Sequence, residues 1–230
     1  ASTTNTYGNW NAKLVFESAS GTAQTLATAT YSVEPTWSSF EITKTASLEK
    51  KKKFAISLNN LKNVYGVSKV KYRIYNSQGK KVAAITATPK SSGKLYYAEV
   101  TYKKLKYAFD NYTVKATVTD VKGKSFVLNT PAVADIMPKG GTFSVTKTSN
   151  AKCAYTLEDA YIPGNIKKLE FVVYKMDGSK AKKQDTYVIK PKAGKKIITY
   201  KAANVDKGKF KVIVNGYTAW GKKVYLNEET

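Results

Sequence analysis

The sequence predicts an all-β chain of tandem immunoglobulin-like β-sandwich modules. Three observations carry that prediction: an internal repeat of about 100 residues, apolar alternation with a period of two, and turn-forming residues between short apolar runs. The repeat is clearest in three gap-free segments, Tyr7 to Ala27, Phe109 to Asn129 and Lys207 to Asn227. Trp10, Tyr112 and Phe210 share one column, Gly21, Gly123 and Gly221 a second, and Leu26, Leu128 and Leu226 a third, at constant spacings of 102 and 98. Near the unit starts, Phe40-Glu-Ile-Thr-Lys-Thr45 is echoed by Phe143-Ser-Val-Thr-Lys-Thr148. A middle block, Val67 to Tyr75 before Gly79, corresponds to Ile166 to Tyr174 before Gly178 at a spacing of 99.

These columns divide the chain into three parts. Residues 1–35 read as the C-terminal part of a truncated repeat, its final hairpin; residues 36–136 and 137–230 read as complete β-sandwich repeats. The boundaries fall near Pro35 to Ser39 and Pro138 to Gly141, where turn formers interrupt the strand pattern.

Within the first complete unit, Phe54, Ile56 and Leu58 alternate with small or polar residues. Val70, Tyr72 and Ile74 alternate with Lys71, Arg73 and Tyr75, which predicts a strand with one buried face. Leu95 to Tyr102 places Tyr96, Ala98, Val100 and Tyr102 on one side and Tyr97 and Glu99 on the other. Tyr112, Val114, Ala116 and Val118 form a further buried series, and a strand around Phe126 and Leu128 follows the turn at Gly123. No long run has apolar residues at helical spacing. About seven short strands per unit fit a sandwich of immunoglobulin size.

The net charge is +23, of which residues 1–35 carry −1, residues 36–136 carry +13 and residues 137–230 carry +11. Of the 39 basic residues 38 are lysine, leaving Arg73 as the one planar fork able to grip phosphate or guanine bidentately. This composition argues against nucleic acid as a partner. No stretch approaches the ~20 apolar residues of a membrane span, so membrane insertion is not expected. A single cysteine, Cys153, excludes an internal disulfide framework; aligned with Phe54 at a strand start, it reads as a small buried hydrophobe.

Chemistry is poorly provided for. The chain has no histidine, so the usual general base and the commonest transition-metal ligand are both missing. Glu158 and Asp159 are adjacent, and neighbours in a strand point to opposite faces, so they would not flank one glycosidic bond. No Asp-rich loop has calcium-ligand spacing, and Gly140-Gly141 reads as a linker, not a phosphate cradle. The expectation is no catalytic residue, no metal and no cofactor.

The run Phe54-Ala-Ile-Ser-Leu58, the block Val67-Ser-Lys-Val-Lys-Tyr-Arg-Ile-Tyr75 and the hairpin strand Tyr112 to Gly123 together resemble the Bsp-like repeat of secreted and surface proteins of Gram-positive bacteria. The resemblance covers both complete units. Where that family tends to carry an acidic pair followed by Trp-Tyr, this chain has Lys80-Lys-Val-Ala-Ala-Ile85. The resemblance implies an extracellular or cell-surface setting and a role as a repeated accessory module. In architecture the chain is also similar to bacterial surface proteins that capture host immunoglobulins.

Six residues stand out as binding candidates. Trp220 sits just before a turn glycine where the other copies have Ser20 and Lys122; with Tyr217 it is either an exposed interface anchor or packing against a neighbouring unit. Tyr75 and Tyr174 recur opposite the core side of their strands, Tyr75 beside Arg73, and serve either as packing under a loop or as a repeated ligand contact. Tyr97, and Tyr107 in the following lysine-rich segment, are expected to be exposed. The partners these features fit are a host protein or glycoprotein, with immunoglobulin a candidate, or an anionic cell-wall polymer drawn to the lysine clusters. A structural spacer is the third reading. Lysine pairs such as Lys103-Lys104 and Lys182-Lys183 equally serve to solubilise and to protect sheet edges.

Overall fold

The computed structural model describes residues 7–192, 194–203 and 206–230. The described residues begin with a hairpin of β1 (Gly8–Glu17) and β2 (Ala23–Val33), which among the described residues pair with no other strand. The first unit then runs through β3 (Ser39–Thr43), α1 (Ala46–Lys50), β4 (Lys53–Asn59), β5 (Val67–Tyr75), β6 (Lys81–Thr86), β7 (Thr88–Lys90) and β8 (Leu95–Thr101). It closes with β9 (Asn111–Asp120), β10 (Ser125–Val127) and β11 (Ala132–Asp135). The second unit comprises β12 (Thr142–Ser149), β13 (Lys152–Glu158), β14 (Ile166–Asp177), β15 (Lys180–Ile189), β16 (Ile197–Ala203), β17 (Phe210–Thr218) and β18 (Lys223–Glu229).

Each unit is a pair of antiparallel sheets around its own core, an all-β sandwich fold of immunoglobulin-like type. In unit one, the order β3-β4-β8-β7 faces the order β10-β9-β5-β6, with β11 also beside β9. In unit two, β12-β13-β16 faces β15-β14-β17-β18. The period-two pattern does this work: in β5, Val70, Tyr72 and Ile74 are buried while Lys71, Arg73 and Tyr75 lie on the outer face. Opposite them, β4 contributes Phe54, Ile56 and Leu58. Unit two has a more aromatic layer, Phe143, Tyr155, Phe171, Tyr187 and Tyr200, with the Tyr187 and Tyr200 rings 4.8 Å apart. The Tyr72 hydroxyl, inside the first core, donates to the carbonyl of Tyr96 at 2.7 Å, which meets the requirement of a buried polar group.

One turn design recurs. Gly21, Gly123 and Gly221 all have positive φ, closing three-residue hairpin loops that need a left-handed residue at that point. Three residues earlier stand Ser18, Asp120 and Thr218, whose side-chain oxygens accept the backbone N–H of the residue after the glycine, Asp120 accepting from Lys124 and, within the loop, from Lys122 at 2.9 Å each. This polar column lies beside the glycine column and has the same spacing.

The structure adds two elements that periodicity does not reveal. One is α1, capped by the Thr45 hydroxyl, which accepts from the Leu48 N–H; the other is a 3₁₀ turn at Tyr102–Leu105. Both are shorter than two helical turns, too short to set up an amphipathic stripe. Both sit at the end of unit one that meets unit two.

Candidate functional site

The structure places five of the six binding candidates on three sheet faces and the sixth, Trp220, at the junction between the units. Arg73 and Tyr75 share the outer face of the β10-β9-β5-β6 sheet. Cross-strand pairing sets Arg73 between Ala84 and Lys115, Lys71 between Thr86 and Thr117, and Tyr75 between Lys81 and Thr113. Residues directly opposite in an antiparallel pair point to the same side, so Lys69, Lys71, Arg73, Lys81 and Lys115 form one basic field. The outward positions of β5, β6 and β10 hold no carboxylate, and among the described residues none of these five cations forms an ion pair. The Arg73 guanidinium donates to the Thr117 hydroxyl, and the Lys115 ammonium lies 5.5 Å from the centre of the Tyr75 ring. Two of the five cations, Arg73 and Lys115, thus rest on neutral groups and not on carboxylates.

Tyr174 and Tyr217 share the corresponding face of unit two, with a different electrostatic outcome. Here Glu170 lies at the centre: it accepts from Lys168 at 2.8 Å and from the Tyr217 hydroxyl at 2.7 Å, and Lys223 stands 3.9 Å away. Burial pushes the Glu170 carboxyl up, but the hydrogen bonds and the lysine charges outweigh it and hold it below the usual carboxylate range. Donating to Glu170 in turn raises the Tyr217 phenol. Lys211 is neutralised by Glu228 at 2.7 Å. Around this network the face is apolar, with Val172 and Ile213 opposite each other and Tyr225 and Val188 well exposed. The same sheet is thus basic in unit one and paired, aromatic and apolar in unit two.

Tyr97 lies on the opposite sheet of unit one. It is half-buried: its ring lies under the Lys90 ammonium at 4.0 Å, and its hydroxyl donates to Glu99, which also accepts from Lys53 at 2.6 Å. It joins neither of the other two groups.

Trp220 is at the junction between the units. Its ring stacks on Tyr107 at 4.6 Å and reaches Phe109 at 5.9 Å and Tyr102 at 6.1 Å, while Lys222 covers Phe109 at 4.7 Å. Of the two readings open for this residue, the geometry is that of packing against the neighbouring unit. Tyr107, expected to be free, is the other half of that stack. An apolar ring at a wet turn loses its exposure by finding the neighbour's aromatic end.

Beside the stack lies a residue that sequence reasoning missed. Glu49, on α1, is buried; it accepts from the Tyr102 hydroxyl within its own unit and from the Gly164 N–H of unit two at 2.7 Å. A Cβ at Gly164 would meet the Trp220 ring at 3.0 Å and Tyr102 at 3.4 Å, so the close approach requires glycine. Lys44 joins from the rim, its ammonium 5.4 Å from the centre of the Tyr161 ring and bonded to the Asp135 carbonyl at 2.5 Å. In sequence Glu49 is one acidic residue just ahead of the lysine run Lys50 to Lys53, and nothing local pairs it with a glycine far along the chain.

Burial raises the phenols of Tyr72, Tyr102 and Tyr161 far above 10, and pushes that of Tyr155 up to about 12. A phenol whose folded value exceeds its unfolded one stabilises the fold fully below about pH 10 and loses that contribution as pH climbs through the folded value. Thermal midpoints are expected to be insensitive to these groups from neutrality to about pH 10 and to fall steeply above it. Phenolate absorbance should rise together with unfolding; ionisation of all the tyrosines below the unfolding transition would contradict this.

Glu158 and Asp159 are both exposed, and Cys153 is half-buried against the second core. Among the described residues no cluster of three or more Cys, Asp or Glu has a metal-holding arrangement, and no helix is long and apolar enough to cross a membrane.

No family model and no curated protein matches the sequence. Similar solved structures include a DUF4785 family protein from Legionella pneumophila, 12% identical with a TM-score of 0.31, over 77% of this chain and 51% of that one. Another is a pullulanase from Anoxybacillus solved with maltotriose, 13% identical with a TM-score of 0.31, over 84% of this chain and 25% of that one. A third comprises the FN1–FN3 domains of chicken CNTN1, 10% identical with a TM-score of 0.28, over 96% of this chain and 76% of that one. The chain spans about half the length of the first and a quarter of the second.

Proposed function

We propose that this chain is a non-catalytic, cell-surface binding module for anionic polymers such as teichoic acid or acidic glycan, and that the outer β5–β9 face of unit one is the surface that meets them. The supporting observation is the field of Lys69, Lys71, Arg73, Lys81 and Lys115 on one sheet face, free of ion pairs among the described residues. Repeating anionic groups along a polymer match cations spaced along and across strands, and a polymer needs no deep pocket. Attraction of this kind comes from displaced counterions and weakens with salt. If about four anionic groups are neutralised, affinity should fall roughly 50-fold between about 50 and 200 mM salt.

The test is binding of purified teichoic acid to the wild type and to a Lys71→Gln/Arg73→Gln/Lys115→Gln variant. The expected loss is about tenfold or more at low salt, with a shallower salt slope. A Lys182→Gln/Lys183→Gln variant, altered on exposed β15, should bind nearly as wild type. Equal losses in both variants would mean that net charge alone matters and would defeat the assignment of the face.

A second reading, capture of a host protein or glycoprotein such as immunoglobulin, is supported by the unit-two face, where Tyr174, Tyr225, Val188 and Ile213 surround the Glu170 network. Contacts of that chemistry are apolar and survive moderate salt. A Tyr225→Ala/Val188→Ser variant that loses serum-protein capture at physiological ionic strength, while keeping teichoic acid binding, would favour it.

A further inference from the structure

The hairpin β1–β2 repeats the sequence of β9–β10 and β17–β18, yet it stands in an opposite environment. The column Leu14, Ala116, Val214 is buried in units one and two, as are Val118 beneath Phe16 and both Leu128 and Leu226 beneath Leu26. In the hairpin, Leu14 is 61% exposed, Phe16 55% and Leu26 58%. The hairpin therefore carries core residue types at core positions and leaves them exposed. A two-stranded hairpin with an open apolar face is marginal by itself.

The other copies show what covers such a face. In unit one the free edge of β9 pairs with β5, and Val118, Ala116 and Val114 stand opposite Val70, Tyr72 and Ile74. The facing sheet then closes over them with Phe54, Ile56 and Leu58. In unit two the free edge of β17 pairs with β14 in the equivalent way, Val214 opposite Phe171. In both units this covering segment precedes the hairpin in the chain and the two are joined by a short connection.

We propose that the Leu14–Phe16–Leu26 face of the hairpin is the receiving half of a third sandwich. Its occupant is the strand set of another copy of this repeat, the stretch corresponding to Ser39–Ala108, carried ahead of the hairpin on the same polypeptide. The register follows from unit one: the strand corresponding to β5 runs antiparallel along the free edge of β1, its residue equivalent to Tyr72 opposite Leu14. Phe16 and Leu14 are larger than Val118 and Ala116, so the occupant leaves more room at those columns than β5 does. The array then continues beyond the two units through the Tyr7 contact, whose ring already sits 4.4 Å from Phe126 of unit one.

The test joins a second copy of residues 39–108 ahead of residue 7 in the full chain and follows hydrogen exchange in β1 and β2. The expected result is slowing of the hairpin amides by at least about 100-fold relative to the parent chain. A second fusion carrying Leu14→Ala and Phe16→Val restores the unit-one side-chain volumes, so that overpacking does not mask assembly. In the parent chain, a hydrophobic dye should bind, and Leu14→Lys/Phe16→Lys should abolish its binding without shifting the unfolding of either unit. Fast exchange in both fusions would overturn the proposal. So would a parent chain that binds no dye, or one in which the hairpin is already protected by forming a dimer that Leu14→Lys dissolves.

Discussion

Phe171→Ala is expected to destabilise unit two by about 3–5 kcal/mol and to leave the unfolding of unit one nearly unchanged. Phe171 is fully buried in β14 and meets Phe143, Tyr155 and Tyr200 at ring separations of 5.9, 5.7 and 6.2 Å. Truncation removes the centre of that cluster, and the surrounding rings are too rigid to collapse into the space, so both the transfer and the cavity costs apply. The effect stays local because the cores are separate: the buried residues of unit one form their own cluster around Phe54, Tyr72 and Val100. Urea unfolding followed by hydrogen exchange should show β13, β14 and β17 losing protection while β4, β5 and β9 keep theirs. Equal loss in both units would mean one cooperative body.

The second large effect belongs to the junction. Glu49→Ala removes the acceptor of two buried donors, the Tyr102 hydroxyl and the Gly164 N–H. Each buried donor left without a partner costs about 1–3 kcal/mol, so a total of roughly 2–6 kcal/mol is expected. Glu49→Gln keeps an acceptor oxygen of similar reach, and about half of the loss or less should follow. The readout is the coupling between units: in Glu49→Ala, proteolysis at residues 136–141 should accelerate and solution scattering should show a wider distribution of extensions. Wild-type behaviour in both would indicate that the aromatic stack of Trp220, Tyr107 and Phe109 holds the junction without the carboxylate.

The fold was largely legible because strand alternation is a local property repeated over two units. Tyr72 is assigned inward from its neighbours alone, and the glycine column marks the hairpin loops. The sites were less legible because they depend on which surfaces meet. Trp220 is a turn aromatic in sequence, and whether it faces solvent or Tyr107 depends on how two sandwiches abut. Glu49 is more hidden still, since its partner lies in the other unit and α1 is too short to leave a periodic trace. The electrostatic contrast between the two equivalent faces was within reach: at the spacing of 99 Lys71 is replaced by Glu170, two residues from Lys168 on the same face of one strand, whereas the outward positions of β5 carry no carboxylate. Tyr97 was correctly placed opposite the core side, but Lys90 covers it from a strand three residues long that no pattern announced.

The most direct measurement is a residue-resolved map of amide and side-chain NMR shifts as teichoic acid is added to the intact chain at low salt. Shifts concentrated at Lys69, Lys71, Arg73, Lys81 and Lys115, extending to Thr117 and Tyr75, are what a polymer lying across the β5–β9 face would produce. Shifts spread evenly over the lysine turns of both units, or centred on Tyr225 and Lys168, would contradict it.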